Sequence, residues 1–332
     1  MPGGVVQAEG KRSPLRVLIT GVTGQDGSYL AEQMTAAGHE VHGLVRGQAN
    51  SRLPWLRSLV PSLNIIGGDL LDTGSLHRAL ALAQPDVVFH LAAVTFVGVS
   101  WDQPSLFAEV TGLGTLRMLE AIRAVNPAIR LVQASTSEMF GASPPPQNEG
   151  TPFLPRSPYA AAKVLAHQMV SCYRDAWGLH ASAAIMFNHE SPRRGEEFVT
   201  RKVSAAVARI AAGKQHVLTL GRLDTSRDWG WAPDFMRALP VIAAQDEPGD
   251  YVIAAGQSAT VAQMCETAFA AAGLDWQEHV ISDPALHRPA DVEALQGDAS
   301  KAARVLGWKP EMTFREVVAR MVEHDMARET AA

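Results

Sequence analysis

Six short apolar runs rich in β-branched residues mark the first half of the chain: RVLIT (16–20), EVHGLV (40–45), LNIIG (63–67), VVFHL (87–91), RLVQA (130–134) and HASAAIM (180–186). Between them lie longer segments with apolar residues at helical spacing, among them SYLAEQMTAAG, TGSLHRALALA, LFAEVTGLGTLRMLEAIRAV and SPYAAAKVLAHQMVSCYRDAW. Near-continuous apolar strands alternating with amphipathic helices predict strands buried on both faces, and so a parallel, doubly wound sheet. After residue 187 the regularity weakens and Gly, Pro and Arg break the pattern in SPRRG, LGRLDTSRDWG, HRPADVE and LGWKP. This half is expected to form a smaller α/β lobe over the strand ends, closed by helices at DASKAARVLG and TFREVVARMVEHDM. The expected division is a disordered tail at 1–14, a core at 15–187 and a lobe at 188–332 that exchanges segments with the core.

Composition narrows the class. The chain has 332 residues, 47% hydrophobic and 19% charged, ordinary for a globular protein with a sizeable core. A net charge of -5 argues against a nucleic-acid surface. No apolar run approaches the roughly 20 residues that span a bilayer, and the N-terminus has no secretory pattern, so a cytoplasmic protein without membrane contact is expected. Cys172 and Cys265 have no ligand-type spacing and read as buried thiols; no metal site is expected.

The first strand runs into Gly21-Val22-Thr23-Gly24-Gln25-Asp26-Gly27 and then a helix. Glycines at this spacing permit a tight turn, close approach of a pyrophosphate, and close packing of helix on strand, while the helix start offers N–H groups to phosphate. This is a Rossmann-type dinucleotide site. The second strand ends in Val45-Arg46-Gly47, without the acidic residue that holds an NAD ribose, so Arg46 is the candidate partner of a 2′-phosphate and NADP the expected cofactor. Asp69 and Leu70 follow the third strand; Asp69 either accepts from the adenine amine or caps the next turn. Leu91, Ala92 and Ala93 end the fourth strand with little bulk beside the cofactor.

Tyr159 and Lys163 stand at i and i+4 and share a helix face. A neighbouring ammonium is expected to lower the phenol pKa towards neutrality, making Tyr159 the base that takes a hydroxyl proton as hydride leaves the same carbon. Thr136 and Ser137 at the end of strand five offer hydroxyls to the substrate. Glu138 adds a second base, which simple alcohol oxidation does not require; it suits removal of a proton α to a new ketone.

With these residues in view, the chain resembles the extended short-chain dehydrogenase/reductase superfamily and, within it, the GDP-mannose 4,6-dehydratases. The resemblance runs from ITGVTGQDGSYLAEQM to LGWKPEMTF; its most specific parts are QASTSEMFG, PRSPYAAAK, FNHESPRRGEEFVTRK, RDWG and RPADVEALQGD. It implies a lyase that converts GDP-mannose to GDP-4-dehydro-6-deoxymannose with recycled NADP. It further implies catalytic roles for Thr136, Glu138, Tyr159 and Lys163, and cofactor contacts from His189 and Arg194. Asn188, Glu190, Lys202, Gly221, Arg227, Arg288 and Glu293 are implied around the nucleotide sugar. The double arginine and serine common in the family after strand two is here Arg46-Gly47-Gln48-Ala49. A homodimer through segments 105–125 and 157–177 and a homotetramer both stay open. The alternatives are a GDP-4-keto-6-deoxymannose reductase, another nucleotide-sugar dehydratase, or a non-catalytic NADP sensor.

Overall fold

The computed structural model describes residues 13–47 and 50–331; the expected tail lies outside them except for Ser13 and Pro14. Strands β1 (Arg16–Thr20), β2 (Glu40–Val45), β3 (Asn64–Gly67), β4 (Val87–His90), β5 (Arg130–Thr136) and β6 (Ala181–Met186) are all parallel, in the order β6-β5-β4-β1-β2-β3. Side chains alternate between two cores. Val17, Ile19, Phe89 and Val132 face one side of the sheet, whereas Leu18, Val88 and Leu131 face the other. The first core takes in α1 (Gln25–Ala36) and the buried Leu56 of α2 (Leu53–Leu59); the second takes in α3 (Thr73–Ala83), α5 (Gly114–Val125) and α6 (Pro158–Trp177).

The expected helix over 106–125 is interrupted. A short α4 (Pro104–Phe107) passes through a π-helical stretch, Ala108–Leu113, before α5. There the Thr111 hydroxyl donates to Val94 O (3.3 Å) and receives the Val94 amide (3.2 Å), which ties the widened turn to the segment after β4. Helix α6 begins where Ser157 accepts the Ala160 amide and Pro158 presets the first turn, and it ends at Gly178 with φ of 64°. Cys172 lies exposed on this helix, contrary to its expected burial, because its position falls on the outward stripe; Cys265 is buried.

The second half contributes a seventh parallel strand to the main sheet, β10 (Asp250–Ile253), beside β6. Its helix α8 (Ala232–Ala243) packs on α1 and on β5 and β6. The rest forms the lobe. Strands β7 (Asn188–Glu190), β9 (Ser226–Trp231) and β11 (Ser258–Thr260) make a small sheet, and β8 (Leu218–Leu220) pairs with β12 (Val280–Ser282). Helices α7 (Val199–Ala211), α9 (Val261–Ala271) and α10 (Phe314–Ala331) enclose a third core, in which Arg201 and Asp325 form a fully buried ion pair. DASKAARVLG forms a π-helical turn at Ala302–Leu306 instead of a regular closing helix.

Candidate active site

Strand order reverses between β1 and β4, and ligand crevices in open parallel sheets form at such a point. Thr20 at the end of β1 fixes the crevice: its hydroxyl oxygen accepts the amides of Leu91 (3.1 Å) and Ala92 (3.0 Å) and lies 2.9 Å from His90 Nδ1. Gly21 adopts φ of 71°, and a Cβ there would lie 2.8 Å from Ala92 N; one at Gly27 would lie 2.3 Å from Gly21 O. Only glycine lets the turn, β4 and α1 approach this closely.

A cavity of about 410 Å³ opens over this turn. Gly21, Thr23, Gly24, Gln25, Asp26, Gly27, Arg46, Asp69, Leu70, Leu91, Ala92, Ala93 and Arg194 line it, all of them anticipated. Helix α1 has Gly24 as its N-cap and no side-chain cap, so the cavity-lining start of the helix leaves first-turn amides for an anion. One Asp69 oxygen accepts the Leu71 amide at 3.0 Å, which caps the turn while the residue still lines the cavity.

A second cavity, of about 380 Å³, adjoins the first and shares Asp26, Leu91 and Arg194 with it. Thr136, Ser137, Glu138, Tyr159 and Lys163 meet here with Asn188, His189, Glu190, Lys202, Gly221, Arg227 and Arg288. Thr136 ends β5 and its hydroxyl accepts the Glu138 amide at 3.3 Å, which turns the Glu138 carboxylate into the cavity wall. Lys163 Nζ donates to Ala134 O at 2.7 Å, and burial pushes it down to about 8. Tyr159 departs from expectation: burial, with the Glu138 carboxylate adding to it, raises the phenol above its ordinary value. Thr136 and Arg194 offset part of that rise, while Lys163, whose Nζ is turned to the Ala134 carbonyl, contributes no such lowering.

Glu293 is exposed and lines neither cavity; its carbonyl accepts the Ser226 amide, which turns the side chain outward. Asp291, two residues earlier, faces the cavity instead. It lies 3.4 Å from Arg227 Nη2 and 3.8 Å from Arg288 Nη1, while Arg227 Nε lies 3.7 Å from Glu138 Oε1. Four side chains of alternating charge thus run from the rim to Glu138. The acidic pair in RPADVE signalled a carboxylate, but only the path of the loop selects which one enters. Asn188 Oδ1 is buried without a partner among the described residues, an acceptor suited to a hydroxyl or amine donor.

Asp26 and His189 join the cofactor turn to the lobe at 3.0 Å, with His189 Nδ1 2.7 Å from Phe187 O and its ring stacked on Phe235. Burial by itself would raise the Asp26 pKa, but His189 and Arg194 outweigh it and bring it to about 2. Burial opposes the charged form of His189 as well, and Asp26 more than compensates, so its pKa lies above the ordinary value.

A larger crevice of about 1090 Å³ lies at the opposite, N-terminal end of the strands, between Arg16, Asp86 and Arg130. None of the candidate residues lines it.

The doubly wound sheet, the glycine turn at its switch point and the Tyr159/Lys163 pair beside it define an extended short-chain dehydrogenase/reductase. The family profile for GDP-mannose 4,6 dehydratase matches residues 18–321, and the chain belongs to that family, which makes it a hydro-lyase. It is 47% identical to GDP-mannose 4,6 dehydratase 1 of Arabidopsis thaliana, over 93% of this chain and 89% of that protein. It is 44% identical to the GDP-mannose 4,6-dehydratase of Sinorhizobium fredii, over 93% of this chain and 96% of the relative. Among solved structures, the UDP-glucose 4-epimerase of Thermus thermophilus in complex with NAD superposes with a TM-score of 0.82 at 30% identity, covering 94% of this chain and 99% of the epimerase.

Proposed function

We propose that this enzyme dehydrates GDP-mannose to GDP-4-dehydro-6-deoxymannose and water, with NADP as a tightly held, recycled cofactor. One observation carries the reading: Glu138 lines the same cavity as Thr136, Tyr159 and Lys163, so a second base stands beside the oxidising pair. The groups fit a dinucleotide. The turn at Gly21–Gly27 and the uncapped start of α1 would hold the pyrophosphate, Asp69 and Leu70 would border the adenosine, and Tyr159, Lys163, His189 and Arg194 would border the nicotinamide end. A nicotinamide cofactor there supplies a hydride acceptor for C4 and a hydride donor for C6, so that none is consumed.

The chain's own groups handle the protons. Thr136 and Tyr159 bracket the 4-hydroxyl, and the phenolate form of Tyr159 takes its proton as C4 is oxidised. The 4-ketone acidifies the C5–H bond; Glu138 removes that proton and the 6-hydroxyl departs as water, with Glu138 or Ser137 as the proton source for it. C5 is reprotonated as C6 is reduced, and the proton that Tyr159 took from the 4-hydroxyl balances this last transfer. Arg227, Arg288 and Lys202 match a diphosphate in charge, and Asn188 offers its free acceptor to the sugar. A cytoplasmic homodimer or homotetramer belongs to the same reading, with the half-exposed faces of α5 and α6 as the docking helices.

Incubation with GDP-mannose and no added reductant tests the reading: a 4-keto-6-deoxy sugar is expected. No turnover with GDP-mannose, but turnover with another nucleotide sugar, would reject the substrate. Glu138→Gln is expected to oxidise C4 and accumulate NADPH absorbance while product release falls on the order of 100-fold or more. Normal turnover by this variant would remove Glu138 from the role of base.

A further inference from the structure

Along β9 and the residue before it, alternate side chains face the sugar cavity. Thr225, Arg227 and Trp229 line that cavity, so the intervening Asp228 points to the other face, where it is fully buried. Three backbone amides converge on its carboxylate. One oxygen accepts the Ala255 amide at 2.8 Å, and the other accepts the Gly256 amide at 2.8 Å and the Gly297 amide at 3.2 Å. Among the described residues no cation acts on it, and burial lifts its pKa to about 6, with the three amides offsetting part of the rise. A buried carboxylate paired with backbone alone is costly. Its chemistry is nonetheless what the site demands, because an asparagine would turn an N–H towards at least one of the three donors.

The amides belong to two chain segments that meet at β9. Ala255 and Gly256 follow β10 of the main sheet, and Gly297 ends the segment that begins at Asp291. A Cβ at Gly297 would lie 2.3 Å from Ala254 Cβ and 2.8 Å from Phe187 Cε2, so the segment passes there without room to shift. Further upstream, Ser226 O accepts the Leu295 amide at 3.1 Å, the Ser226 amide donates to Glu293 O at 2.8 Å, and Arg227 Nη1 donates to Val292 O at 2.8 Å. From the core, the buried Gln147 adds a second hold: its amide donates to Gln296 O at 2.8 Å and its Oε1 accepts the Gln296 amide at 3.0 Å. Asp291 stands at the upstream end of this ladder, 3.4 Å from Arg227, and Arg227 lies 3.7 Å from Glu138. A slip of the segment would take Val292 O and Asp291 away from Arg227 together.

We infer that Asp228 is a positioning residue of the sugar cavity: with Gln147 it locks segment 291–297 onto β9 and so holds Asp291 against Arg227, opposite Glu138. The inference rests on the reading of that cavity as the GDP-mannose site. Asp228 faces away from the cavity and acts only through the charged row in front of it. What it sets is therefore the affinity for the sugar nucleotide, and neither cofactor affinity nor the chemical step.

The test combines steady-state kinetics on GDP-mannose with amide hydrogen exchange of the ligand-free full chain. Asp228→Ala should raise KM on the order of tenfold, with kcat within about threefold and NADPH affinity within about twofold. Asp228→Asn, which keeps one acceptor oxygen, should recover part of the loss. In Asp228→Ala the amides of Val292, Leu295 and Gly297 should exchange about tenfold faster, while those of β1 keep their protection. Gln147→Ala loosens the other anchor and should raise KM about threefold; it decides the matter where Asp228→Ala yields no folded protein. The double variant Asp228→Ala/Asp291→Asn should have a KM no higher than the worse single variant, since both act at Arg227. Multiplied effects would place Asp228 outside the charged row and overturn the inference. A lowered Tm with KM unchanged would leave Asp228 a purely structural group and overturn it too. A wild type that does not turn over GDP-mannose rejects the substrate reading instead; faster exchange at 292–297 in Asp228→Ala would then still uphold the lock, and unchanged exchange would refute it.

Discussion

In the proposed reading, the cofactor half and the substrate half both meet a ligand carrying phosphates, by different physical means. At the cofactor turn, the seven residues Gly21–Gly27 do most of the work with backbone, through three glycines and an uncapped helix start, and the Thr20 hydroxyl just before them holds the Leu91 and Ala92 amides. In the lobe, side chains from distant segments do it. Arg227 comes from β9, Asp291 and Arg288 from the loop before residue 297, Asn188 from β7 and Lys202 from α7. A backbone site depends on shape and tolerates little added volume, whereas a side-chain site depends on charge and on partners that hold each group in place. The two halves are therefore expected to fail under different substitutions.

The sharpest way to break this contrast is Gly27→Ala. The new Cβ would lie 2.3 Å from Gly21 O and 2.5 Å from Val22 Cα, so α1 must move off the turn. Overpacking of this kind is expected to weaken NADPH binding on the order of 30-fold, read by titration, with far-ultraviolet circular dichroism unchanged. Unchanged affinity would mean that the turn is softer than its geometry implies.

Charge removal in the lobe is expected to act less strongly and on the other ligand. Asp291→Asn loosens Arg227 and Arg288 together and should raise the KM for GDP-mannose about tenfold, with NADPH affinity unaltered. Glu293→Gln serves as the control and should change KM less than about twofold, its side chain being outside both cavities. An equal response from the two variants would contradict the placement of the loop.

The smallest effect concerns the joint between the halves. Asp26, held at about 2, contributes stability above the ordinary carboxylate range, which is lost as pH falls through that value. His189, with its pKa raised, contributes stability fully present below its ordinary 6.5 and lost as pH rises through its folded value. The pair is thus complete in mildly acid solution and fades on the alkaline side. Between pH 6 and pH 9, the wild type should lose about 2 °C more in Tm than His189→Asn, as measured by calorimetry. Parallel pH profiles would show that the joint does not depend on the His189 charge.

Local signals account for what was readable. Strands β1 to β6 were legible because each is a continuous apolar run, and the glycine turn and the Tyr159/Lys163 spacing are contiguous patterns. Strand β10 was not: its residues, DYVI, lie in the irregular half, and only pairing with β6 gives them a place in the sheet. The π-helical stretch escaped because apolar spacing over six residues does not distinguish it from an ordinary α-helical turn.

Sequence alone determined the sheet class, the glycine turn, the Tyr159/Lys163 spacing, and the family these residues share, because each depends on neighbours in the chain. Tertiary structure decided two further matters: that Asp291 and not Glu293 lines the second cavity, and that burial holds the Tyr159 phenol above its ordinary pKa. Each of these turns on burial, or on a partner that folding brings near. A charge next to a residue in sequence says little about the field at a side chain until the fold has removed the water and chosen its neighbours.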